Sequence, residues 1–171
     1  MLFAVALQAN ASITIGTPLV STYWLSDHKD TPVLGVVYAP ALGICYWAKQ
    51  GEGAFKDGQK LPLKIESQRE TYKIVASRSH MSDETQAFID DIDTDKEKEL
   101  ISIGSSLKIC IVAEGAADIY PRLGPTMEWD TGAAHAIVNE SGKKLEKHKN
   151  NKFTSHLYNK SDLLNQWFVV N

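Results

Sequence analysis

The stretch from Ile103 to Gly142, IGSSLKICIVAEGAADIYPRLGPTMEWDTGAAHAIVNESG, gathers residue types that handle phosphate. Asp130 follows Trp129 and opens a run of small residues that reads as a helix start. Its carboxylate is expected to cap that helix, among unpaired backbone N–H groups at the positive end of the dipole, which keep it ionised. Upstream, Gly104-Ser105-Ser106-Leu107-Lys108 reads as a glycine leaving a strand, hydroxyls at a helix start and a cation one turn in, which together offer N–H, O–H and charge to an anion. Arg122 adds a second cation, and His80 ends a strand, the place where open α/β sheets bind ligands. Each has a plainer reading: Asp130 and Ser105 as caps, Arg122 in a surface salt bridge, His80 in an exposed loop. The small residues after Asp130 shift the balance, because they let a helix start approach a ligand or another backbone closely, and packing alone would not ask for the acid. One carboxylate, two hydroxyls and two cations suit a metal-bound phosphate. No second acidic cluster looks able to complete such a site.

The elements that must position these residues divide the chain in two. Residues 1–30 carry strand-like segments split by Gly16 and Pro18 without a clean period and are left unassigned, as a non-homologous or disordered start. From Thr31 to Glu70, VLGVVYAP, ICYWAK and a hairpin signalled by Asp57-Gly58 predict an antiparallel meander. Residues 71–171 alternate strand and helix: a strand Lys73–Ser77, a helix from Ser82 to about Asp90, a strand Glu99–Gly104, and a helix capped by Ser105 and stopped at Gly115. An edge strand around Pro121, a helix Thr131–Ser141 capped by Asp130, and a last strand Asn165–Val170 follow. This alternation predicts a layered α/β lobe. The lysine-rich segment holding Lys143, Lys144, Lys147, Lys149 and Lys152 reads as a solvated loop. His135 is expected to be structural, and His28, His148 and His156 have no supporting context.

The 171 residues fit one ordinary domain, and 43% hydrophobic with 23% charged residues is normal for a globular protein. The net charge of −3, without a basic face, argues against nucleic acid as a partner. No apolar run approaches transmembrane length. The opening MLFAVALQANAS lacks the basic region of a signal peptide. Cys45 and Cys110 sit in apolar segments with no ligand spacing, so buried free thiols in a reducing, cytoplasmic setting are expected.

Taken together, WDTGAAHAIVNESGK, the Ser77-Arg78-Ser79-His80 turn, VLGVVYAP, the GSSLK…VAEG…YPR…GPT run and the WF tail resemble the inositol monophosphatase superfamily, over about Thr31 to Val170. Lys108 and Arg122 make the 3'(2'),5'-bisphosphate nucleotidase branch the better match. The resemblance implies the layered αβαβα sugar-phosphatase fold, here a C-terminal α/β substrate-binding lobe plus an antiparallel β remnant of the N-terminal lobe. It implies a Mg²⁺-dependent phosphomonoesterase that converts adenosine 3',5'-bisphosphate to AMP and phosphate. Asp130 would be a metal ligand, and Asp130, Ser105, Lys108, Arg122 and His80 would bind the nucleotide. An inositol- or sugar-phosphate phosphatase, a non-catalytic nucleotide-binding remnant and a degraded gene product are the alternatives. The sequence departs from the family at Gly132-Ala133-Ala134, at Glu140-Ser141-Gly142-Lys143 and at Gln166. More seriously, the family's Asp-Pro-(Leu/Ile)-Asp-Gly-Thr loop and upstream glutamate, which supply most metal ligands, do not occur. The expectation is a truncated, inactive chain whose uncovered sheet favours homo-association.

Overall fold

A β-branched meander and a helix of small residues can pack with unusual closeness, and this contact organises the molecule. The structure, a computed structural model, describes residues 3–9, 20–26, 30–63, 69–76, 81–150 and 152–171. Six antiparallel strands run in sequence order across one sheet: β1 (Phe3–Ala9), β2 (Ser21–Ser26), β3 (Pro32–Ala39), β4 (Ile44–Lys49), β5 (Gly53–Lys56) and β6 (Gln59–Lys60). Asp57 and Gly58 both take positive φ, 48° and 83°, which is the geometry of a tight β5–β6 hairpin. The meander is longer than expected. Residues 1–30, read as outside the fold, supply two of its strands, and β2 places Trp24 in the core at 2% exposure.

Strand β7 (Thr71–Val75), helix α1 (Asp83–Asp90) and strand β8 (Glu97–Ile101) form a parallel β–α–β unit, with Ser82 Oγ accepting the Thr85 N–H as its cap. Helix α2 (Leu107–Ala113) follows, with all but Lys108 of its side chains buried. Strand β9 (Tyr120–Arg122) leads to helix α3 (Glu128–Glu140), then to β10 (Leu145–Lys149), β11 (Lys152–Ser155) and β12 (Phe168–Val170). The last sheet has the order β11-β10-β12-β9, so Pro121 lies on an edge strand, where its missing N–H does no harm. The lysine-rich segment is therefore a hairpin, not a loop. Its lysines stay partly or wholly exposed while Leu145 and His148 turn inward. Cys110 is buried and free, whereas Cys45 is free but only half-buried.

Helix α3 lies on β2 and β3 almost without intervening side chains. A Cβ built on Gly35 would come within 2.0 Å of the Ala133 carbonyl oxygen, and one on Gly132 within 2.5 Å of the Trp24 indole. Both glycines are there for close approach. Far along the helix, Glu140 Oε2 accepts the Gly51 and Gly53 N–H groups at 3.1 and 3.0 Å and ties α3 to the β4–β5 turn. Below α2, buried Glu114 accepts from Tyr46 Oη and Lys56 Nζ, each at 2.6 Å.

A polar network joins the other end of α3 to the chain after β11. Tyr158 Oη donates to Thr131 Oγ1 at 3.1 Å, and Thr131 Oγ1 donates to the Glu128 carbonyl at 3.2 Å. Tyr158 Oη must then accept from His135 Nδ1, 3.0 Å away. His156 Nε2 meets Asn165 Oδ1 at 3.1 Å. Both imidazoles are 5% exposed. Burial, and then the neighbouring His156, hold His135 down at about 3. Burial holds His156 down at about 4, with Lys160 and Lys147 adding to the effect and Asn165 and Glu128 opposing it. The histidine expected to be structural is so, and His156 joins it.

Two outcomes follow from these contacts. Gly35→Ala and Gly132→Ala should each lower stability by about 1–3 kcal/mol through overpacking, with Gly35→Ala the worse because it meets backbone, as thermal denaturation would show. The unfolded chain protonates its histidines near 6.5, whereas the fold keeps His135 and His156 neutral to about 3 and 4. Their neutral burial is therefore without penalty above pH 6.5. Stability should fall as pH drops from 6.5 towards 4, by about 1.4 kcal/mol per unit per histidine. Chemical denaturation across that range should show the loss, and His156→Asn should flatten it.

Candidate functional site

Four elements converge on a cavity of about 200 Å³: the start of α2, strand β9, the start of α3 and the first residue of β12, Phe168. Ser105, Lys108, Arg122 and Asp130, singled out separately in the sequence, all line it. His80 lies outside the described residues. Ser106, Tyr120, Thr126 and Thr131 complete much of the wall. Thr126 stands in the Gly124-Pro125-Thr126 stretch of the resemblance but was not singled out as a site residue, since a threonine after a proline reads as an ordinary turn.

Local structure corrects two of the expected roles. Asp130 does not cap α3 from outside. Helix α3 begins at Glu128 with Met127 as its N-cap residue, and Asp130 stands in the first turn, where Oδ2 accepts the Met127 N–H at 2.8 Å. The helix starts earlier because a first-turn carboxylate can reach back to that N–H as well as a capping side chain can reach forward. The other carboxylate oxygen makes no hydrogen bond among the described residues. Ser105 is not the cap of α2 either. It takes a left-handed φ of 55° ahead of Ser106, and the helix begins at Leu107. Ser106 Oγ instead donates to the Asp130 carbonyl at 3.0 Å and clamps the two helix starts together.

The charges in the cavity do not balance. Arg122 Nη2 donates to the Pro125 carbonyl at 3.0 Å, its guanidinium lies against Gly124, and its Nε is buried without a partner. Lys108 sits one residue inside α2, and burial, then the nearby Arg122, push its pKa down while Asp130 pushes the other way. Among the described residues neither cation forms an ion pair. Burial pushes the Tyr120 hydroxyl up to about 12, so it stays a neutral donor. Two cations, one half-engaged carboxylate and several hydroxyls make a pocket that attracts an anion and can hydrogen-bond it.

The fit to a metal is poorer. Among the described residues no three His, Cys, Asp or Glu side chains come together. A Mg²⁺ ion asks for one or two carboxylates besides phosphate and water, and Asp130 presents a single free oxygen. The described residues do not form a dedicated metal site. No helix among the described residues is long and apolar enough to cross a membrane.

Residues 25–166 match the family model described as the inositol monophosphatase family. The 3'(2'),5'-bisphosphate nucleotidase CysQ of Salmonella typhimurium is 40% identical over 138 residues, 80% of this chain and 51% of that protein. The CysQ nucleotidase of Buchnera aphidicola is 34% identical over 167 residues, 96% of this chain and 58% of that protein. The chain spans about half the length of the curated relatives it matches. Among solved structures, CysQ from Bacteroides thetaiotaomicron superposes with a TM-score of 0.86 at 37% identity, covering 99% of this chain and 69% of that one.

The uncompensated cations make one prediction about the ligand-free protein. Lys108→Met removes a partly buried charge held beside Arg122. Because the ammonium is still partly solvated, the gain is modest, about 0.5 kcal/mol of added stability in low-salt thermal denaturation. A loss of stability would mean that Lys108 serves the fold rather than a ligand.

Proposed function

The chain belongs to the inositol monophosphatase family, and on that premise we propose that its cavity is the nucleotide-holding part of a phosphatase of the 3'(2'),5'-bisphosphate nucleotidase type. The observation that carries this reading is the pair Lys108 and Arg122, two cations in one small cavity with no carboxylate paired to either among the described residues. A nucleotide bisphosphate brings two dianionic groups, one to be hydrolysed and one to be held. Lys108 and Arg122 hold the spectator phosphate, with the Ser105 hydroxyl offering a donor beside it. An inositol- or sugar-phosphate phosphatase needs no second phosphate subsite, and the cation pair disfavours it.

Asp130 alone would offer one carboxylate oxygen to a Mg²⁺ ion, which would supply Lewis-acid chemistry at the phosphoryl group. The net reaction is adenosine 3',5'-bisphosphate plus water to AMP and phosphate. A site with one available carboxylate oxygen favours a second reading for the chain by itself: nucleotide binding without turnover. The free thiols suit a cytoplasmic setting, and the small-molecule nucleotide is the partner we assign.

Calorimetric titration with AMP, with and without Mg²⁺, tests the reading. Wild type should bind, Arg122→Ala and Lys108→Met should each weaken binding by about tenfold or more, and Asp130→Ala should abolish any enhancement by Mg²⁺. Absence of binding to a folded chain would overturn the assignment. Adenosine 3',5'-bisphosphate with Mg²⁺ should turn over at least several orders of magnitude below family-like rates, on the order of 10 per second. Fast turnover would sink the binding-only reading.

A further inference from the structure

Asp130 is only as well placed as the loop that leads into α3, and that loop is gripped by one side chain from far along the sequence. Asn165 is 4% exposed. Its Nδ2 donates to the Met127 carbonyl at 2.7 Å and is shared with Thr131 Oγ1 at 3.1 Å and Thr126 Oγ1 at 3.2 Å. Its backbone N–H donates to the Thr126 carbonyl at 2.8 Å, and the preceding residue, Leu164, bridges Met127. Every acceptor surrounding Nδ2 belongs to the segment from Thr126 to Thr131, and Asp130 closes the same loop from the other side through the Met127 N–H.

The amide can point only one way. The Met127 carbonyl cannot donate, so the nitrogen must face it, and Oδ1 must then face His156. That sets His156 as the tautomer with the proton on Nε2, because Oδ1 can only accept. A residue of the same shape without donors would set oxygen against oxygen at 2.7 Å. The segment before β12 thus holds both the direction and the distance of the loop that presents Asp130.

We propose that Asn165 is a positioning residue of the site: it holds the 126–131 loop, and through it Asp130, in the arrangement that ligand binding needs. The assignment rests on the reading of the cavity as a phosphate site. Asn165 touches no ligand and acts through Met127 and Thr131.

The test compares Asn165→Ala and Asn165→Asp with wild type at pH 7, with AMP and Mg²⁺ as probe, each titrated well below its own melting midpoint. Both variants should weaken the AMP affinity, with or without Mg²⁺, by about tenfold or more, with Asn165→Asp no better than Asn165→Ala, because shape and acceptor are kept while the donors are lost. Tyr46→Phe, which loses its hydrogen bond to Glu114 in another part of the core, should lower the melting point and leave the affinity unchanged. Rescue by Asn165→Asp, or an unchanged affinity in both variants, would overturn the proposal. Amide hydrogen exchange gives an answer that does not need AMP. In Asn165→Ala the amides of residues 126–131 should exchange at least about tenfold faster while those of β3 and β4 keep their protection. If wild type fails to bind AMP, the cavity reading falls and exchange alone decides the positioning role; an even or absent acceleration would refute it.

Discussion

Everything at the cavity depends on how closely α3 lies on the meander. Gly35 and Gly132 remove the two Cβ atoms that would hold helix and sheet apart, and Trp24 fills the space beside Gly132. Such a contact permits few alternatives, because interiors are packed near crystal density and a backbone carbonyl has nowhere to retreat. Glu140 anchors the far end of the helix on the β4–β5 turn, and the Thr131–Tyr158 network anchors the near end. The first turn of α3, where Asp130 stands, is therefore set by the sheet rather than by local helix propensity.

The fold and the cavity make opposite demands on charge. Elsewhere in the molecule buried acids are satisfied: Glu114 by Tyr46 and Lys56, and Glu128 by Lys160 together with the Asn159 N–H. Around the cavity the pattern is broken, with Lys108 and Arg122 adjacent and Arg122 Nε buried and unpartnered. Cations kept side by side with no carboxylate partner are characteristic of sites that meet their complement in a ligand.

Much of this was legible in the residues, for identifiable reasons. Asp130 with its small neighbours, and Ser105, Lys108 and Arg122, stood out because their types are costly to place and their setting is compact in sequence; the structure brings those four to one cavity. Asp57-Gly58, Ser82 and Pro121 each sit where their backbone chemistry predicts. The failures are equally physical. Met127 is no capping residue, so a helix start marked instead by a reaching-back Asp130 was placed three residues late. The β10–β11 hairpin was obscured because partly exposed strands can be almost wholly charged. Asn165 gave no local hint, since all of its partners except His156 lie more than thirty residues away.

The order of strands in the last sheet carries a consequence for assembly in time. Strand β12 lies between β10 and β9, so β9 has no neighbour in that sheet until β12 has been made and inserted. During synthesis the arginine at the end of β9 and the loop after it must wait, unpaired, for residues emerging about forty-five positions later, at roughly 5–20 residues per second. The cavity is thus among the last features that synthesis can complete, because Phe168 of its wall belongs to β12. Slow, long-range closure of this kind leaves a window in which the nascent chain offers an open strand edge to its neighbours.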